Sequence, residues 1–137
     1  MAFVVTNDGD NQMILAVLNK VTPELLTLKL FANNVTPDKS YTTASFTECS
    51  GNGYASIGLT AANWTVTEGT GAGTTPTTAA QPQQTFTLTG ALTAYGYYLV
   101  GATSGKCYLA ELFSGAPWVI PSGGGTIKIT PTITNFS

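Results

Sequence analysis

The chain has 137 residues, 43 % of them hydrophobic and only 9 % charged, a length that suits one domain and a charge content far below the roughly 25 % of ordinary soluble domains. Five lysines face seven acids, with no arginine and a net charge of −2, which argues against nucleic acid because phosphate binding needs clustered cations. Histidine is absent, which excludes Ser-His-Asp and Cys-His catalysis and any histidine-ligated zinc.

From the N-terminus, "MAFVVTNDGD" has neither a basic stretch nor a long apolar run, so no secretory signal is expected. "DGDNQMILAVLNK" carries the best helical pattern, with Met13, Ile14, Val17 and Leu18 at helical spacing. Asp8, Asp10 and Asn11 offer N-caps, Lys20 would occupy the last turn, and Pro23 blocks continuation. "LLTLKLF" alternates Leu26, Leu28 and Leu30 with Thr27 and Lys29, a half-buried strand. "YASIGLT" does the same with Ala55, Ile57 and Leu59, and "NWTVTEG" puts Trp64 and Val66 on one side. Gly69 to Gln83 reads as one low-complexity loop that orders on contact. "TFTLTG" sends Phe86 and Leu88 inward, and "TIKITPTI" does so with Ile127 and Ile129, leaving Thr126, Lys128 and Thr130 outward.

No run approaches the roughly 18 apolar residues of a spanning helix, so no membrane contact is expected. Six to eight short strands, Gly/Thr-rich loops and one short N-terminal helix predict a mainly β chain. The expected architecture is an antiparallel β-sandwich or jelly roll, a single domain over 1–137. Cys49 and Cys107 read as free thiols packed like small apolar residues, with a disulfide as the alternative in an oxidising medium.

The densest feature is "YGYYLVGATSGKCYLAELF", Tyr95 to Phe113. A two-residue turn at Ser104-Gly105 would pair Val100 with Leu109, Tyr98 with Glu111 and Gly96 with Phe113, whose ring would cover the glycine. Tyr95, Tyr97, Leu99, Tyr108, Ala110 and Leu112 then share one face. Both faces are apolar, so the hairpin needs covering twice: by the opposite sheet, and by either the N-terminal helix or another subunit. In the second case Tyr95, Tyr97, Tyr108 and Leu112 are the subunit-interface residues; a sugar-stacking platform is the third reading.

Little points to chemistry. The acids Asp8, Asp10, Glu24, Asp38, Glu48, Glu68 and Glu111 allow a carboxylate pair only formally. Glu111, set among apolar residues, is expected to bond Tyr98 or Lys128. "NDGDNQ" lacks the central glycine and distal glutamate of a calcium loop and reads as a helix cap. "PSGGGT" and "EGTGAGTT" match no phosphate loop, and sequons at Asn34, Asn63 and Asn135 matter only on secretion. No catalytic residue, cofactor or metal is therefore expected, and the chain reads as a non-enzyme.

Four stretches, "LLTLKLFANNVTP", "YTTASFTECSGNGYASIGLTAANWTV", "QTFTLTGALTAYGYYLV" and "YLAELFSGAPWVIPSGGGTIKITPTI", span most of the chain. In their order and overall pattern they resemble small virion proteins of tailed bacteriophages, of the capsid decoration (cement) type. The resemblance implies a β-rich protein, often trimeric, assembled in the host cytoplasm. It would bind the major capsid protein on the outer head shell and lock neighbouring capsomers. The alternative is a carbohydrate-binding or tail-associated sandwich for host attachment, with Tyr97, Tyr108, Trp64 or Trp118 as exposed aromatics.

Overall fold

The computed structural model describes residues 3–71 and 75–135. In chain order these form β1 (Phe3–Val5), α1 (Asn7–Val17), β2 (Leu26–Phe31), β3 (Ile57–Leu59), β4 (Thr65–Thr67), β5 (Thr77–Ala80) and β6 (Gln84–Leu88). There follow β7 (Leu92–Ala94), β8 (Gly96–Gly101), β9 (Cys107–Leu112), β10 (Trp118–Ile120), β11 (Gly125–Ile129) and β12 (Thr132–Asn135). The fold is mainly antiparallel β with one helix, as the alternating patterns predict.

The principal sheet has the order β1-β9-β8-β2-β3, every pair antiparallel. Three smaller sheets, β10-β7, β11-β6 and β12-β5-β4, complete the described strands. One face of the principal sheet supplies Leu28, Leu30, Tyr97, Leu99, Leu109 and Phe113 to the main core. The small sheets answer with Phe86, Leu88, Leu92, Ala94, Ile127 and Ile129, the sandwich arrangement expected of alternating strands. β8 is buried over its whole length because both of its faces are covered.

Over Tyr98 the second cover comes not from the helix but from the connection between β2 and β3. Tyr98, Val100, Cys107 and Ala110 pack under Phe46, with Tyr41 and Val35 beside it. Phe46 stacks on Tyr98 at 4.8 Å between ring centroids and touches Phe31 at 4.9 Å, while Tyr41 meets it edge-on. The turn-rich connection between β2 and β3 thus folds back as a lid of aromatic side chains. Its register on β2 is held by Ala32 donating to the Thr47 carbonyl and Cys49 to the Leu30 carbonyl.

α1 begins two residues earlier than an N-cap at Asp8 would place it. Thr6 is the N-cap: its Oγ1 accepts from the Gly9 amide at 3.0 Å and donates to the Cys107 carbonyl. Asp8 and Asp10 lie inside the first turn, where their charge suits the helix dipole. The helix ends at Val17 without a basic residue in its last turn, since Asn19 takes the left-handed conformation (φ 56°) and leaves Lys20 outside.

Three strand expectations change. Thr77–Ala80, expected as loop, is β5, bonded to β4 and β12; bounded by Pro76 and Pro82, its threonines suit an extended chain. The part of that loop at 72–74 lies outside the described residues, as does the sequon side chain at Asn135. Trp64 packs against the core but Val66 is exposed, so the two do not share an inward face. β1 and β7 go beyond the sequence expectation, being only three residues each.

Candidate functional site

The hairpin of β8 and β9 is one residue out of the register that a Ser104-Gly105 turn implies. Gly96 pairs with Leu112, Tyr97 with Glu111, Tyr98 with Ala110 and Leu99 with Leu109. Tyr108 is then bulged, and Val100 pairs with Cys107. The loop is longer than two residues: the Gly101 amide bonds the Lys106 carbonyl, the Gly105 amide bonds the Gly101 carbonyl, and Gly105 sits at φ 69°. The ring over Gly96 belongs to Phe31, its partner on β2, rather than to Phe113.

The four residues expected at an interface do not share a surface. Tyr97 is 4 % exposed in the main core. Tyr95 and Leu112 pack beside the aromatic lid. Tyr108 turns its hydroxyl to Glu24, 2.9 Å away. Tyr97, not Tyr98, donates to Glu111 at 2.8 Å, because the slip in register exchanges the two tyrosines. Burial, with the Glu111 charge adding to it, pushes the Tyr97 phenol far above its usual range, so it stays a donor.

The other charged groups hold the structure together. Lys29 meets Glu48 at 3.1 Å, Lys39 meets Asp10 at 2.9 Å, and Lys106 lies 3.8 Å from Asp8. Glu48 also accepts from the Tyr54 hydroxyl at 3.0 Å. Glu24 accepts from the Thr103 and Ser104 amides at 2.7 and 2.8 Å and from the Ser104 hydroxyl at 2.6 Å. Burial alone would raise its pKa, but these bonds and the one from Tyr108 outweigh it and lower the pKa below the ordinary value. No metal-holding group of three His, Cys, Asp or Glu residues occurs among the described residues.

Cys49 and Cys107 are free and buried, in separate cores. Burial, reinforced by Glu48, pushes the Cys49 thiol up to about 11, and burial with Asp8 nearby pushes Cys107 up to about 12.

Two surface features remain. The first is the apolar side of α1. Ile14 is 59 % exposed, Val17 85 % and Leu18 60 %. With Val5, Met13 and Ile133 they line a shallow depression of about 500 Å³. α1 is docked at its N-terminal end, where a side chain at Gly9 would collide with the Tyr108 carbonyl, so its apolar residues further along stay uncovered.

The second is a notch of about 180 Å³ between the end of β9, the start of β10 and the end of β11, lined by Tyr97, Glu111, Phe113, Trp118, Lys128 and their neighbours. The Trp118 indole lies flat on Phe113, 3.9 Å between centroids and 10° between planes, with Nε1 bonded to the Ser114 carbonyl at 3.1 Å. Of the aromatics nominated from sequence, Trp118 is here the exposed one; the signal for its partners was only the outward position of Lys128 beside Ile127 and Ile129. No protein family and no curated protein matches the chain.

Proposed function

We propose that the chain is a capsid decoration (cement) protein of a tailed bacteriophage, which self-associates and braces the outer head shell against the major capsid protein. The observation that carries the reading is the bare apolar side of α1, Ile14, Val17 and Leu18, on a chain with few charges. Large exposed apolar patches mark interaction surfaces. The one charged group lining the depression, Asp10, is paired with Lys39, so the patch is otherwise apolar and complementary to itself, and interfaces between identical chains are the more apolar ones. A second copy is therefore the occupant assigned to it, and the sandwich surface carries the contacts to the shell. Many such copies bound at once reinforce one another by avidity. The resemblance of the four sequence stretches supplies the phage context.

The test is oligomeric mass by light scattering, together with cosedimentation with mature heads of the phage that encodes the chain. The expected result is a homo-oligomer, which Val17→Asp dissociates, and saturable binding to heads. A monodisperse monomer at high concentration that leaves heads unbound would refute the reading.

A further inference from the structure

The notch at Trp118 combines features that neither core packing nor the apolar side of α1 explains. Trp118 is 36 % exposed, yet its indole is rigidly backed by Phe113 and its Nε1 is already committed to the Ser114 carbonyl. What it presents to a ligand is carbon surface rather than a donor. Beside it, Glu111 has one oxygen, Oε2, engaged by Tyr97 at 2.8 Å, and Oε1 has no partner among the described residues. Lys128 lines the same notch and joins no ion pair among the described residues. Ser114 and Thr130 also line it.

We propose that this notch is a binding site for a single pyranose ring of a neutral saccharide, laid against Trp118 with its hydroxyls on Glu111 and Lys128. Each part of the ligand has a counterpart. A pyranose has a C–H face that packs on a flat indole and a ring of hydroxyls that both donate and accept. The Glu111 Oε1 is an acceptor for such hydroxyls and the Lys128 ammonium a donor. The volume of about 180 Å³ admits one ring and not an extended chain. One carboxylate and one ammonium in the lining leave no surplus positive charge for a phosphate or sulfate, which disfavours nucleotides and charged glycans. A rigid, pre-packed Trp118 lowers the ordering cost of binding, so a small contact suffices for a weak site. The inference stands apart from the assembly reading, since it uses no residue of α1.

The test is a titration of the intact protein with methyl glucoside, methyl galactoside, methyl mannoside and N-acetylglucosamine, followed by amide and indole NMR shifts. Binding in the millimolar range is expected, moving the Trp118 indole signal and amides near Ser114 and Lys128 while the Trp64 indole signal stays still. Trp118→Ala and Glu111→Gln should each weaken it at least about tenfold. If Trp118→Ala does not fold, Glu111→Gln and Lys128→Ala with the wild-type shift map still decide the matter. Three results would overturn the proposal: no saturable shifts with any sugar, shifts centred away from Trp118, or binding of a leucine zwitterion in the notch in place of every pyranoside.

Discussion

Replacing Glu24 should loosen the tip of the β8–β9 hairpin by a predictable amount. Its carboxylate accepts hydrogen bonds from the Thr103 and Ser104 amides, the Ser104 hydroxyl and the Tyr108 hydroxyl. A hydrogen bond to a charged group is worth about 1.5–3 kcal/mol, but the loop amides are exposed and water takes back much of that. Glu24→Ala is therefore expected to cost about 2 kcal/mol in all, and Glu24→Gln, which keeps one acceptor oxygen, about half as much. For a domain of this size that lowers Tm by about 6–8 °C for Ala. The pH dependence has a definite sign. The pKa of Glu24 lies below its ordinary 4.5 in the folded chain, so the stabilisation is fully present above that ordinary value and is lost as pH falls through the folded one. Thermal unfolding of wild type and Glu24→Ala at pH 7 and pH 3 measures both quantities. The gap between them should narrow in acid. An equal gap at both pH values, or no gap at pH 7, would refute the argument.

Gly9→Ala should be among the costliest substitutions, about 3 kcal/mol by denaturant titration, because the new methyl meets the Tyr108 carbonyl, a backbone group that cannot move aside. Cys49 and Cys107, with thiols pushed up to about 11 and about 12, should ignore a thiol-specific dye at pH 8 in the native state and react fully in denaturant. Tyr97→Phe should destabilise by about 1 kcal/mol, and a double-mutant cycle with Glu111→Gln should show that the two losses are not additive. Val17→Asp, at a position 85 % exposed, should leave the unfolding of the isolated chain within about 0.5 kcal/mol while it dissociates the homo-oligomer that the proposed function requires.

The strands that alternate were legible because period two is a local signal: Leu26 to Leu30, Phe86 and Leu88, and Ile127 and Ile129 all face inward as read. β1 and β7 are too short to show a period. The lid over Tyr98 was invisible because Tyr41 and Phe46 stand in a stretch of Thr, Ser, Asn and Pro with no periodicity at all; only the folded connection brings them onto the sheet. The notch draws Glu111, Trp118 and Lys128 from three strands or their ends, and their meeting depends on sheet-to-sheet placement that no local pattern encodes.

The largest departure from the sequence reading lies in the placement of the hairpin loop, which the bulge at Tyr108 only half offsets. A two-residue turn at Ser104-Gly105 would set Tyr98 against Glu111; the observed loop, with Val100 against Cys107, moves the pairing by two residues, and the extra residue on β9 returns it by one, so Tyr97 stands there instead. The extra residue also accounts for the place of the helix. Freed from the β8 ladder, Tyr108 offers its carbonyl to the Thr6 amide at 3.1 Å and, with no Cβ at Gly9, lets the first turn of α1 approach the strand. Its hydroxyl meanwhile reaches Glu24, tying the entry to β2 to the hairpin loop. Anchored at that one end, α1 cannot also lie across the tyrosines, and the aromatic lid already occupies the place above Tyr98. Ile14, Val17 and Leu18 are consequently left outside. The tyrosine row locks the core, and the apolar side of α1 is what the fold leaves uncovered.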